Sequence, residues 1–238
     1  NILITGGSKR IGKEIAINFA KQGYNIILHY NTSKKEALQT KREINKISNC
    51  EIIKGDLRNL KSTKKIFSEA KKKFKHINHL INCASLFEND DLTKFNEKMW
   101  NNHINVNAKA PAILMSEFAK QKFQKGKNFS IINILDQRVF KLTPFFFSYT
   151  VSKMILFNIT KTAAMRLAPN IRVNGIAPGP VIKNARQSNL HFKKQYKNTL
   201  LKRQVNKKEI SNACQFLIEN QNITGQIIAV DSGQSLNW

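Results

Sequence analysis

Acid is scarce in this chain. Among 238 residues there are 15 Asp and Glu against 40 Lys and Arg, a formal net charge of +25. Such an imbalance raises nucleic acid or anionic membranes as partners. The excess is mostly lysine, scattered through nearly every predicted helix. Lys34-Lys35 and Lys71-Lys72-Lys73 suit solvated helix faces, and no basic run is interleaved with aromatics as a base-stacking groove requires. No specific nucleic-acid partner is therefore expected. Long hydrophobic runs are missing too. Stretches such as Phe145-Phe146-Phe147 fall far short of the roughly 18 residues that cross a bilayer, so no membrane span is expected.

Cysteine is also sparse. Cys50, Cys83 and Cys214 are an odd number at irregular spacing with no CxxC, which suits reduced thiols in a cytoplasmic protein. His76 and His79 form an HxxH pair without a third ligand at metal-site spacing; no metal is expected, and both read as ordinary loop histidines. No Gly/Ser linker, internal repeat or low-complexity block marks a domain boundary. The length, with 41% hydrophobic residues, fits one large α/β domain spanning 1–238. The opening Ile2-Leu3-Ile4-Thr5 already reads as a strand, which leads us to expect a start methionine and a few residues before Asn1; no signal peptide is visible.

What is present is a rhythm. Short apolar runs near 2–5, 25–30, 50–54, 78–83, 129–135, 171–177 and 226–230 alternate with amphipathic stretches near 10–22, 33–47, 60–74, 97–122, 146–168 and 207–219. That is the βαβ pattern of a single doubly wound parallel sheet, Rossmann-type, with helices on both faces. The polar, weakly periodic stretch 181–206 is expected to form a lid over a substrate.

At the first strand's carboxyl end, Thr5-Gly6-Gly7-Ser8-Lys9-Arg10-Ile11-Gly12 leads into a helix. A tight turn at a helix N-terminus is where a pyrophosphate binds. At the end of the second strand an NAD site usually carries Asp or Glu for the ribose 2′-hydroxyl. Here the residues are His29-Tyr30-Asn31-Thr32-Ser33-Lys34. With no carboxylate to repel a 2′-phosphate, and with Arg10, Ser33 and Lys34 to bind one, NADPH is the expected cofactor. Asp56, after the third strand, is either an adenine contact or a loop cap.

Tyr149 and Lys153 stand four apart in a predicted helix, hence on one face. An ammonium there is expected to stabilise the phenolate and bring the tyrosine toward proton exchange at working pH. The pair follows the strand Ile131-Ile132-Asn133-Ile134 in a chain that opens with the glycine turn. Over essentially its full length the sequence thereby resembles the short-chain dehydrogenase/reductase family. Asn82-Cys83-Ala84-Ser85 stands at the family's NNAG strand end, and Asn107 lies in the helix that supplies its active-site asparagine. Arg172-Val173-Asn174-Gly175-Ile176-Ala177-Pro178-Gly179 matches its sixth strand and PG turn, and Val230-Asp231-Ser232-Gly233 its carboxyl-terminal signature.

Two departures narrow the resemblance. Arg10 replaces the family's middle glycine, and Asp136 replaces its serine thirteen residues before the tyrosine. An aspartate can hydrogen-bond the Tyr149 hydroxyl or assist its reprotonation, but it is a poor oxyanion donor for a ketone unless protonated. Both substitutions, and an Asn-x-Ala-Ser strand end followed by Phe87, are similar to the pteridine reductases and dihydromonapterin reductases, although Leu86 stands where some of these carry serine.

The resemblance implies hydride transfer from NADPH to a C=N bond of a dihydropterin or dihydrofolate. Tyr149 would give the proton with Asp136 as its partner, Lys153 would hold the nicotinamide ribose, and Asn107 would support Lys153 through water. Cofactor contacts would come from Thr5, Gly6, Lys9, Arg10, Ile11, Gly12, Tyr30, Asn31, Ser33, Lys34, Asp56, Leu57, Asn82, Ala84, Ser85, Tyr149, Lys153, Pro178, Gly179 and Val181. Arg10, Ser85, Phe87, Asp136 and Tyr149 would contact the substrate, Phe87 by stacking. A homotetramer or homodimer is implied as well. The alternatives are a 3-oxoacyl-type carbonyl reductase, with which Asp136 is discordant, and a cofactor-binding or nucleic-acid-associated protein without turnover, with which an intact Tyr149, Lys153 and Asn107 are discordant.

Overall fold

A computed structural model describes residues 1–123, 126–183 and 187–237. Seven strands form one parallel sheet: β1 (Ile2–Thr5), β2 (Ile26–Tyr30), β3 (Cys50–Lys54), β4 (His79–Asn82), β5 (Ser130–Ile134), β6 (Arg172–Pro178) and β7 (Ile227–Val230), in the order β3-β2-β1-β4-β5-β6-β7. The connecting helices are α1 (Arg10–Lys21), α2 (Lys34–Ile44), α3 (Leu60–Lys73), α4 (Glu97–Ile104), α5 (Ala110–Ala119), α6 (Phe147–Leu167), α7 (Asn189–Lys197) and α8 (Lys207–Glu219). The central strands are apolar almost without interruption because both of their faces are covered.

Alternate strand residues face opposite layers. Ile2, Ile4, Leu28, Ile81 and Ile132 pack with Ile15 and Phe19 of α1 and with Ile210 and Leu217 of α8. Leu3, Ile27, Leu80 and Ile131 pack against Ile66 and Phe67 of α3 and Leu114 and Phe118 of α5. The chain winds outward from β1 to β3, then returns to place β4 on the other side of β1. The loops leaving β1 and β4 therefore diverge and open a crevice at the strand ends.

Three expectations need correction. The helix expected over 97–122 is two helices joined by a π-helical turn, Asn105–Lys109, and it ends at Ala119. The wider turn changes the side-chain phase at Asn107, and Pro111, which has no N–H, can be accommodated because it lies in the first turn of α5. His79 is not a loop residue: it lies in β4, its Nδ1 is 2.9 Å from Ser130 Oγ, and burial lowers its pKa to about 3. Within 181–206 the chain is partly regular, with α7 anchored by the buried Phe192; residues 184–186 of the expected lid lie outside the described residues.

Candidate active site

At the crevice Gly6 has φ +64°, and a Cβ there would lie 2.9 Å from the Ala84 Cα, so only glycine lets the β1 and β4 loops approach this closely. The Thr5 hydroxyl oxygen accepts from the backbone N–H groups of Cys83 and Ala84, both at 3.0 Å, tying the two loops together. His29 ties in the neighbouring strands. Its Nδ1 accepts from the Gly6 N–H at 3.3 Å while Nε2 lies 3.0 Å from the Gly55 carbonyl oxygen. Burial lowers the His29 pKa to about 4, and the two contacts fit a neutral ring with its proton on Nε2.

Arg10 adopts φ +55°, the backbone a glycine would supply, which supports its alignment with the family's middle glycine. Its Nη2 donates to the carbonyls of Ile182 and Lys183 at 3.4 Å, linking the turn to the segment after β6. Lys9 makes no side-chain cap at the start of α1, and the first turn holds no acid, so the N–H groups there remain available to an anion. Ile11 and Gly12 lie in that first turn.

Beyond β2, Tyr30 is buried, while Asn31, Ser33 and Lys34 reach the surface; Ser33 stands at the start of α2 with no side-chain cap, and the nearest following acid is Glu36 in that helix. Asp56 is engaged as a loop cap: its carboxylate accepts from the Arg58 backbone at 2.9 Å and its guanidinium at 2.7 Å. Leu57 and Val181 are buried in the core, which leaves ligand contact at those positions to the backbone. Asn82 donates to Asn133 at 2.8 Å, and Asn133 to Thr160 at 2.9 Å, a buried polar ladder from β4 through β5 to α6. Pro178 closes β6, and Gly179 packs against Asp231, with no room for a Cβ.

The catalytic candidates converge beside this crevice. Asp136, just after β5, accepts a 2.8 Å hydrogen bond from the Tyr149 hydroxyl. Burial and then the Asp136 carboxylate hold the Tyr149 pKa well above its ordinary value, against the opposing field of Arg138. The phenol is therefore a protonated donor in this state. The expected lowering of the Tyr149 pKa by Lys153 is not found, because burial and Asp136 outweigh it; Lys153 Nζ donates to the Ile134 carbonyl at 2.8 Å and lies 5.8 Å from the Tyr149 ring centroid. Burial lowers the Lys153 pKa to about 8. Asn107 makes no direct bond to Lys153. It accepts from the Leu86 N–H at 2.8 Å and donates to the Leu86 carbonyl at 2.9 Å and to Ser152 Oγ at 3.0 Å, clamping the loop after β4. Ser85 joins that clamp, its Oγ 3.2 Å from Asn107 Oδ1.

Phe87 meets Tyr149 edge-on with centroids 4.6 Å apart and stacks on Phe146 at 4.5 Å. Sequence reasoning missed Phe146, Arg138 and His103. Phe146 carries a left-handed φ of 58° just ahead of α6, which no residue pattern announces. His103 bridges loops, accepting from the Glu88 N–H at 3.2 Å and lying 2.6 Å from Ser148 Oγ. Arg138 sits two residues after Asp136, and that spacing was the one signal available.

Comparisons with known proteins bear on the family and the fold. A family model described as enoyl-(acyl carrier protein) reductase matches residues 6–235. The 3-oxoacyl-[acyl-carrier-protein] reductase FabG of Staphylococcus epidermidis is 30% identical, covering 97% of this chain and 97% of that protein. Among solved structures, FolM alternative dihydrofolate reductase 1 of Brucella suis, in complex with NADP, is 38% identical with a TM-score of 0.95, covering 100% of this chain and 95% of that one. The Brucella canis protein of the same name, also complexed with NADP, is 37% identical with a TM-score of 0.93, at 100% and 94% coverage. On the extent of these matches, the chain belongs to the short-chain dehydrogenase/reductase family of oxidoreductases.

Proposed function

We propose that this chain is an NADPH-dependent reductase of a C=N bond in a dihydropterin or dihydrofolate. The observation that carries the reading is the 2.8 Å bond from Tyr149 to Asp136 with Phe87 edge-on against the same phenol. A carboxylate in that place accepts and cannot polarise a ketone oxygen as a hydroxyl does, whereas it can hold a proton-donating phenol in position. The likeness to the two FolM alternative dihydrofolate reductases supports the same reading.

The residues fit the cofactor. The turn at Gly6 leaves no space for a side chain, the start of α1 lacks an acidic cap, and no carboxylate closes β2. Thr5, Gly6, Lys9, Arg10, Ile11 and Gly12 would hold the phosphates, Asn31, Ser33 and Lys34 the 2′-phosphate, and Lys153 the nicotinamide ribose. NADPH bound there supplies the hydride. Tyr149 gives its proton to the nitrogen of the reduced bond, directly or through water, its single O–H turning for this from Asp136, which accepts it at 2.8 Å, to the substrate. Phe87, with one face stacked on Phe146, would meet a pterin ring with its other face, and Arg10 and Ser85 offer donors to the polar edge of that ring.

A second reading, 3-oxoacyl reduction, is favoured by the 30% identity to FabG. NADPH oxidation by the purified chain with dihydrobiopterin, dihydrofolate and a 3-oxoacyl thioester separates the two. The first reading expects turnover of a pterin or folate, and Phe87→Ala should raise its KM about tenfold for a stacking loss near 1.5 kcal/mol. Efficient 3-oxoacyl turnover, with neither dihydrobiopterin nor dihydrofolate reduced or bound, sinks it.

A further inference from the structure

We propose that Arg138 is a positioning residue of this site, whose single guanidinium fixes both the Asp136 carboxylate that receives the Tyr149 hydroxyl and the aromatic wall formed by Phe87 and Phe146. The inference rests on the reading of Tyr149 as proton donor. Asp136 stands at the start of a 3₁₀ turn, Gln137–Val139, and its Oδ1 accepts from the Arg138 backbone N–H at 2.9 Å. The side chain then folds back, with Nη1 3.2 Å from both carboxylate oxygens.

This is not the fork that arginine usually makes with a carboxylate, in which two nitrogens each meet one oxygen. One nitrogen is shared, and the buried Nε has no hydrogen-bond partner among the described residues. The same guanidinium neighbours three rings: its carbon lies 5.1 Å from the Phe146 centroid, 5.4 Å from Phe87 and 5.9 Å from Tyr149. Phe146 holds its place from the left-handed backbone region, where a bulky residue is strained, and its ring lies within 7° of parallel to Phe87. The delocalised guanidinium can charge-pair with Asp136 and face several rings at once; a lysine ammonium is a compact point charge that has to divide itself between the carboxylate and the rings.

The test uses the full-length chain with Arg138→Lys and Arg138→Met, read as kcat and KM with a dihydropterin, beside NADPH affinity and thermal midpoint. Losing the charge in Arg138→Met should lower kcat at least tenfold. Arg138→Lys should restore kcat to within about threefold while KM stays raised about fivefold, with NADPH affinity and thermal midpoint near the parent's. Values of kcat and KM within twofold of the parent in both variants overturn the proposal, as does equal loss of everything including NADPH binding. If the parent reduces only a 3-oxoacyl substrate, the functional reading fails separately; the split is then read on that substrate, where the effect on kcat should persist and that on KM should vanish. A crystal structure of Arg138→Met gives a readout independent of substrate: an unchanged Tyr149–Asp136 bond together with an unchanged Phe87–Phe146 stack overturns the proposal.

Discussion

Tyr149 and Lys153 share a helix face, yet burial drives them in opposite directions, since removing water penalises phenolate and ammonium alike. The phenol keeps its proton, and the ammonium loses its own as pH rises through about 8. Turnover that needs a charged Lys153 should therefore decline above about pH 8, a limb that Lys153→Met should lack. For stability the sign is reversed. The unfolded chain holds the lysine proton up to about 10.5, so between these values it binds more protons than the native state, and stability attributable to this group rises with pH. Tyr149→Phe should cut turnover at least a hundredfold with NADPH affinity nearly unchanged, because the hydroxyl is the proton donor and the ring remains. Normal turnover in that variant excludes the role.

At the scale of elements, one side chain bolts the sheet to its outer helix. The Arg172 guanidinium, at the start of β6, donates to the carbonyls of Leu217 at 2.7 Å, Ile218 at 2.9 Å, Asn220 at 3.0 Å and Ile223 at 2.9 Å, and to Asn128 Oδ1 at 3.1 Å. A cation at the end of α8 satisfies carbonyls that have no partner within the helix and complements its dipole. Arg172→Met should destabilise the fold by about 3 kcal/mol, since several charge-assisted bonds go while their carbonyls stay partly buried. Chemical denaturation gives the number, and a loss under about 0.5 kcal/mol would show that water replaces the arginine at no cost. Apart from α7, which lies in the stretch expected to form a lid, the strand and helix order was legible from apolar periodicity. The break between α4 and α5 was not, because the π turn keeps an apolar pattern that reads as one helix.

For the molecule as a whole, the excess of base over acid makes acid conditions the point of weakness. His29 and His79 are buried neutral, with native pKa values of about 4 and about 3 against 6.5 for the free side chain. Below about 6.5 the unfolded chain takes up protons that the native state refuses, so stability should fall steadily as pH drops toward 4. Self-repulsion of a chain already at +25 acts in the same direction. Thermal midpoints measured from pH 7 to pH 4 should decline, and His79→Gln should flatten part of the slope. A flat profile in the parent contradicts the assignment of both histidines as buried and neutral.

Alternating short strands and amphipathic helices determined the doubly wound sheet, because covered parallel strands have to be apolar on both faces. The same local logic placed the glycine turn at a helix start and put Tyr149 and Lys153 on one face. The resemblance had implied Asp136 as the partner of the Tyr149 hydroxyl, and the tertiary structure set that bond at 2.8 Å; it alone turned Asn107 onto the Leu86 loop and folded Arg138 over Phe87 and Phe146. These contacts join segments separated in sequence, and they depend on loop backbone such as the left-handed Phe146, for which no periodicity exists to be read. Burial, which decides the charge states of Tyr149 and Lys153, is likewise a property of the packed molecule.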